Sequence, residues 1–339
     1  MKLGEACPNI QSGKDQKEEG KIPLYGASKQ LAYTRSASYS PPLILIGRVG
    51  ESVGKLQWIN IPCGVSDNAL VIQGKELLKN TDMRYLLYCL TNSPFERYAG
   101  GSGQKVLAAS HLKNIFIALP TLAEQKKIAG LLSLIDERIE VQNAIIKEQE
   151  AQKAALLRRL FDRSLRFPEF TDEWKKVKLG EVVICYSSTM TEGELQKEGG
   201  IPIYGAAGCC GYADVDEPFL ESILIIKDGS GVGRSQYVTG PHYFLGTLNS
   251  LRTTSPTIYQ KFVFYLLEQL NLKKYVCGSG IPHIYFSDYS KASCFLPSLA
   301  EQKKIAALLS AIDERLDVER AYAEQLKQQK AYLLRQMFI

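Results

Sequence analysis

The chain has 339 residues, with 41 Lys+Arg against 36 Asp+Glu and a net charge of +5, about two domains' worth at roughly 100–200 residues per domain. Its 45% apolar and 23% charged residues exclude wholesale disorder. No apolar run approaches the roughly 18 residues that span a bilayer, and the opening MKLGEACPN holds no apolar signal core, so the expectation is a cytoplasmic chain with no membrane partner.

Read from the start, a first mixed region contains KLGE at Lys2–Glu5, IPLYGA at Ile22–Ala27 and the strand-sized run PLILIG at Pro42–Gly47. A glycine-rich loop follows, and then the pattern predicts a helix over about Thr81–Tyr98. Next comes the polar turn GGSGQK at Gly100–Lys105, and then LPTLAEQKKIAGLLSLIDERIE from Leu119 to Glu140. The same features then return in the same order. KLGE recurs at Lys178–Glu181, IPIYGA at Ile201–Ala206, a strand run at Ser222–Ile226 and a helical segment at about Pro256–Tyr275. CGSGIPH follows at Cys277–His283, then LPSLAEQKKIAALLSAIDERLD from Leu296 to Asp317, identical to its first copy at 17 of 22 positions with an offset of 177. The chain is a tandem duplication.

Both copies of the long motif open on helix-start chemistry, with Thr121 and Glu124, and Ser298 and Glu301, spaced as capping boxes. Beyond them a 3.5-residue apolar period runs for five heptads, which argues a coiled-coil seam. Its slots include Ile128, Leu132, Ile135, Ile139, Ile146 and Leu156 in the first copy, and Ile305, Leu309, Ile312, Leu316, Leu326 and Leu333 in the second. Lys153 and Lys330 share one core slot; the expectation is that their stems lie along the seam with the ammonium in water, the alternative being that they fix its register. Each helix of about 40 residues would be roughly 60 Å long. The reading is an α+β protein of two mixed regions (1–119 and 178–297), each followed by a long helix (120–163 and 298–339), with a boundary segment at 164–177.

Several motifs tempt and fail. Gly50-Glu-Ser-Val-Gly54-Lys55-Leu56 has three residues between its glycines where a phosphate loop needs four, and Leu56 where the magnesium-binding hydroxyl should stand. Asn92-Ser-Pro-Phe95 resembles a methyltransferase signature, but it closes a predicted helix and the second copy lacks it. Three scattered histidines and eight cysteines without C-x-x-C spacing make no zinc set, and no catalytic triad context is present. Binding chemistry remains: matching cations Arg48 and Lys55 against Lys227 and Arg234, matching Tyr-Gly turns at Tyr25–Lys29 and Tyr204–Gly208, and the two glycine turns. Glycine lets a backbone approach a phosphate, and Arg, Lys, Gln, Ser and His read base edges. By residue chemistry alone the same positions also suit solvated turns.

With the duplicated L-P-x-L-A-E-Q-K-K-I-A-x-L-L-S-x-I-D-E-R and the opening F-P-E-F-T-D-E-W of Phe167–Trp174, the chain resembles the specificity subunit of a type I restriction–modification system. The resemblance implies two target-recognition domains, each reading half of a bipartite site in double-stranded DNA, with the long helices antiparallel about a pseudo-two-fold axis. It implies two methyltransferase subunits and restriction/translocase subunits as partners. It implies no catalysis and no cofactor on this chain, with S-adenosylmethionine, ATP and magnesium on the partners. The DNA-contacting candidates are then Lys29, Arg48, Lys55, Ser102, Gln104 and Lys105 in the first domain, and Lys227, Arg234, Ser279 and His283 in the second. The first copy lacks the F-P-E-F-T-D-E-W lead-in, which puts the packing of its first strand in question. Two other classes stay open: a coiled-coil adaptor without DNA specificity, and a nucleotide-using enzyme built on the glycine loops. Residues 1–119 carry 14 basic against 9 acidic residues and residues 171–297 carry 11 against 13, so the first mixed region is expected to hold non-specific DNA more tightly. Any basic face of the second must be local, around Lys227, Arg234, Lys273 and Lys274.

Overall fold

The computed structural model describes residues 1–77, 79–100, 105–278 and 280–338. It forms two compact units, one of Met1–Ala144 with Ala321–Ile339 and one of Ile145–Arg320. The long helices Leu122–Phe161 and Leu299–Met337 are each divided between the units. Each unit is therefore one mixed region plus a segment of both helices.

The first unit contains β1 (Gln11–Ser12), β2 (Ile22–Tyr25), β3 (Gln30–Thr34), β4 (Leu43–Gly47), β5 (Leu56–Ile59), β6 (Gly64–Val65) and β7 (Ala69–Gln73). They form a four-stranded sheet in the order β1-β7-β4-β5 and a three-stranded sheet β3-β2-β6. The run at β4 is apolar without alternation because both its faces are covered. Ile44 and Ile46 join the core under the internal helix, whereas Leu43 and Leu45 join Tyr39, Val65 and Val71 on the other side.

The second unit contains β8 (Lys175–Lys178), β9 (Val183–Ser187), β10 (Ile201–Gly205), β11 (Gly208–Ala213), β12 (Phe219–Ile226), β13 (Ser235–Phe244), β14 (Leu248–Thr253) and β15 (Ser293–Leu296). Six of them make one sheet, β11-β10-β13-β12-β14-β9, and β15 pairs with β8. Strand β12 repeats the two-faced logic: Ile223 and Ile225 face the helical core, Leu224 and Ile226 the cluster around Phe244 and Leu248.

The internal helices are shorter than expected, Met83–Thr91 and Gln260–Gln269. The first starts where the Asp82 carboxylate accepts the Tyr85 N–H at 2.9 Å. It stops before Pro94, which has no N–H to donate and disfavours a helical Ser93. Separate 3₁₀ turns follow at Phe95–Tyr98 and Leu272–Tyr275. Asn92 ends the first helix, and its side-chain amide donates to the Leu334 carbonyl at 2.7 Å. The segment that tempts as a methyltransferase signature is thus a fastening for the second long helix.

The boundary segment 164–177 belongs largely to the second unit. Trp174 is buried edge-on to Phe161 and Phe262, and residues 175–178 form a four-residue ladder with 293–296. In the first unit the corresponding pairing is a single bridge between Lys2 and Phe116, closed by the Met1 ammonium on the Ile117 carbonyl at 3.1 Å. Phe116 stands 74% exposed.

The duplicated motif has a structural explanation. Gln125 is fully buried; its side-chain oxygen accepts the Asp82 N–H at 2.8 Å and its amide donates to the carbonyls of Asn80 and Pro120. Gln302 does the same for the Tyr259 N–H, Pro297 and Thr257. Each glutamine pins the start of an internal helix to the start of a long one. The Thr121–Glu124 capping box forms as expected. Its repeat is only half made: Ser298 accepts the Glu301 N–H, but the Glu301 carboxylate turns to Arg166, which holds it through bonds of 2.8 and 2.9 Å.

In the second unit the helix segments run antiparallel, as Arg320–Glu150 at 2.6 Å and Lys153–Asp313 at 2.7 Å show. All ten positions of each predicted heptad series are buried or half-buried. The seam lysines do not reach for water, contrary to the expectation. Lys153 pairs with Asp313 and with Glu268 at 3.0 Å, and Lys330 pairs with Asp136 at 2.5 Å. Carboxylates stand within reach across the seam, so an ion pair replaces snorkelling. Among the described residues, no helix is long and apolar enough to cross a membrane.

Candidate nucleic-acid interface

In the first unit three sequence-distant segments meet beside the β4–β5 turn. The turn itself carries Arg48 and Lys55 around Gly50 and Gly54, both with positive φ. It runs from strand to strand, not from strand to helix as a phosphate loop requires. The segment after the glycine turn is tied to it, with the Gly50 N–H donating to the Lys105 carbonyl at 2.9 Å and the Leu107 N–H to Arg48 at 2.8 Å. The β2–β3 hairpin tip is tied by the Gln57 amide, which donates to the Gly26 carbonyl at 2.8 Å. Gly47 permits this approach: a Cβ there would lie 1.9 Å from the Ser52 oxygen and 2.6 Å from that of Ala27. Lys29, Lys55 and Lys105 are exposed, while Arg48 is half-buried with one guanidinium nitrogen on the Asp67 carbonyl at 3.3 Å.

The second unit repeats the construction. Gly229, Gly231 and Gly233 have positive φ in the β12–β13 turn. The Gly229 N–H donates to the Pro282 carbonyl and the Ile284 N–H to Lys227, both at 2.9 Å. The Gln236 amide donates to the Gly205 carbonyl at 2.7 Å, as Gln57 does to Gly26. Arg234 is exposed, and Lys227 and His283 are half-buried. His283 is held by its Nδ1 near the Ile281 carbonyl at 3.2 Å and by its ring against Tyr285. Lys273 and Lys274 are exposed on the 3₁₀ turn that abuts Gly233 through Leu272. Ser102, Gln104 and Ser279 lie outside the described residues.

Two features escape a reading by composition. Arg84 stacks over Trp58 at 4.0 Å, and Lys261 over Tyr237 at 5.4 Å. These are equivalent residues of the two repeats, and alignment of the copies would have exposed the shared cation–aromatic pairing. The second is an exposed apolar stripe on the long helices. Leu131, Leu134 and Val141 lie outward in the first unit, and Leu308 and Val318, at the offset of 177 from Leu131 and Val141, lie outward in the second. This stripe is separate from the seam and unpartnered among the described residues.

Basic side chains thus stand on glycine turns beside a sheet in both units, at equivalent positions of the two repeats. The type I restriction modification DNA specificity domain matches residues 1–151 and again 171–328, so the chain belongs to that family. It is 26% identical over 294 residues to the type I restriction enzyme MjaVIII specificity subunit of Methanocaldococcus jannaschii, covering 76% of this chain and 69% of that one. It is 28% identical over 158 residues to the type I restriction enzyme EcoprrI specificity subunit of Escherichia coli, covering 45% of this chain and 39% of that one. In fold it is similar to the crystal structure of a type I restriction–modification S subunit from M. genitalium, with a TM-score of 0.72 at 20% identity over 100% of this chain and 95% of the other. The chain is a type I specificity subunit, a class whose work is recognition of DNA sequence.

Proposed function

We propose that the chain reads a bipartite site in double-stranded DNA, one half with each unit, and brings two adenine-N6 methyltransferase subunits and ATP-dependent restriction subunits to it in the cytoplasm. The observation that carries this reading is the repeated convergence of three loops, each fastened by the same backbone and glutamine bonds, with exposed cations on the outside. Rigid turns with exposed cations position a protein on phosphates, and neighbouring polar groups then read bases. Sequence differences between the two loop clusters, such as Lys55 against Arg234 and Val106 against His283, predict different half-sites. The chain itself supplies binding and no chemistry; S-adenosylmethionine, ATP and magnesium would act on the partners. The outward stripe at Leu131, Leu134 and Val141, echoed at Leu308 and Val318, suits two copies of one partner, because a related apolar surface is offered twice.

Co-expression with a methyltransferase partner, followed by sequencing of methylated host DNA, tests the proposal. A split adenine motif with an unspecified spacer is the expected result. Unmodified DNA despite an assembled complex with an active methyltransferase overturns it and leaves an adaptor.

A further inference from the structure

Each seam lysine sits in a three-helix cluster that the established reading does not use. In the first unit the Tyr88 hydroxyl donates to the Asp136 carboxylate at 2.7 Å and lies 3.2 Å from the Ser133 hydroxyl. Lys330 reaches the same carboxylate from the other helix and stands 5.4 Å from the Tyr88 ring centre. In the second unit Tyr265, Asp313, Ser310 and Lys153 repeat every one of these contacts, at 2.8 Å, 3.1 Å, 2.7 Å and 5.3 Å. The four residue types recur at the offset of 177, and the lysines are exchanged: each repeat's aspartate takes the lysine of the other repeat. Burial disfavours the Lys153 ammonium, but its hydrogen bonds and the charges of Asp313 and Glu268 outweigh that and raise its pKa.

The arrangement discriminates between alignments. If one helix slid along the other by a heptad, Lys153 would face Ala306 or the like-charged Arg320 instead of Asp313. Lys330 would face Ala129 or Asn143 instead of Asp136. Apolar seam residues lose little in such a slip, because a leucine meets another apolar side chain; a lone polar pair in a seam does not tolerate it. The tyrosines add a third party, since each ties the internal helix of its mixed region to the same aspartate.

We propose that Lys153–Asp313–Tyr265 and Lys330–Asp136–Tyr88 are register locks, which fix the slide of one long helix along the other and thereby the spacing at which two half-sites are accepted. The lysines are positioning residues, and the spacing claim rests on the bipartite reading above. The test compares the methylation pattern of the assembled complex carrying wild-type chain, the double variant Lys153→Met with Lys330→Met, and the conservative Lys153→Arg with Lys330→Arg. Methionine keeps the seam filled while removing the charge, so the expected result is unchanged half-site bases with methylation at longer or shorter spacers raised about tenfold. The arginine pair should restore the single spacing. Methylation confined to the native spacer in the methionine variant overturns the proposal. So does uniform loss at every spacer from an intact complex, which would assign the lysines to stability alone.

If the double variant does not fold, the single variants, each retaining one lock, carry the same comparison, and no widening in either overturns the proposal. A wild-type complex that leaves DNA unmodified instead fails the bipartite reading. Register is then read by a short bis-maleimide crosslink between Glu150→Cys and Arg320→Cys, which should form in the wild-type background and fall about tenfold when both lysines are methionine. An unchanged yield overturns the locks independently of DNA.

Discussion

Gln302 accepts the Tyr259 N–H at 2.8 Å and donates to the Pro297 carbonyl at 2.9 Å while almost wholly buried. One side chain thus satisfies backbone groups at the starts of two helices, where donors and acceptors lack intrahelical partners. Replacing Gln302 by Leu leaves those groups buried and unpaired, at an expected cost of about 1–3 kcal/mol. Gln125→Leu should behave alike, since Gln125 holds Asp82, Asn80 and Pro120 in the same way. Urea unfolding of the two variants measures this; a cost within experimental error for both would show that water replaces the lost bonds.

The exposed cations of the loop clusters bear on DNA through salt dependence. Replacing Lys29, Lys55 or Arg234 by Ala removes a phosphate contact and should lower the slope of log affinity against log salt by about one unit. Arg48→Ala should do more to base preference, because its guanidinium is oriented by the Asp67 carbonyl. Binding of the assembled complex to its methylated site, titrated at several salt concentrations, checks both. Unchanged slopes for all three exposed positions would place the DNA on another face.

A charged residue within the outward stripe should disturb assembly without unfolding the chain. Val141→Asp and Val318→Asp change side chains that are 59% and 68% exposed, so stability should remain near wild type. Methyltransferase affinity should fall about tenfold or more if these positions lie at the centre of the contact. Calorimetric titration with the partner subunit measures the loss.

His242 makes the second unit sensitive to acid. It is fully buried, with Nδ1 2.7 Å from the Gly240 carbonyl, Nε2 without a partner among the described residues, and Phe219 and Tyr204 against its ring. Burial holds its pKa below the ordinary histidine value. The unfolded chain therefore binds a proton more readily than the folded one, so the contribution present above about pH 6.5 is lost as pH falls below it. A His242→Gln variant should lose less stability than wild type between pH 7.5 and 5.5, as read from urea midpoints.

Local pattern made much of this protein legible before its fold was known. The duplication follows from motifs that recur at one offset, the strands at 43–47 and 222–226 from short apolar β-prone runs, and the long helices with their heptad seams from a period of three and a half residues, which the nearest few side chains decide. The basic loop residues were recognisable as candidates because glycine spacing and charge recur between the copies. What tertiary structure alone decided are pairings over long separations: Gly50 with Lys105, Gln57 with Gly26, Asp136 with Lys330. Helical periodicity could place Lys330 on the seam, but only the path of the chain could bring a carboxylate opposite it and turn an expected snorkel into an ion pair. Likewise the capping pattern at Ser298 was sound locally and yielded to Arg166, because a buried carboxylate gains more from a two-bonded cation than from one backbone N–H. Charge and burial at such points depend on neighbours a hundred or more residues away, and no local period encodes them.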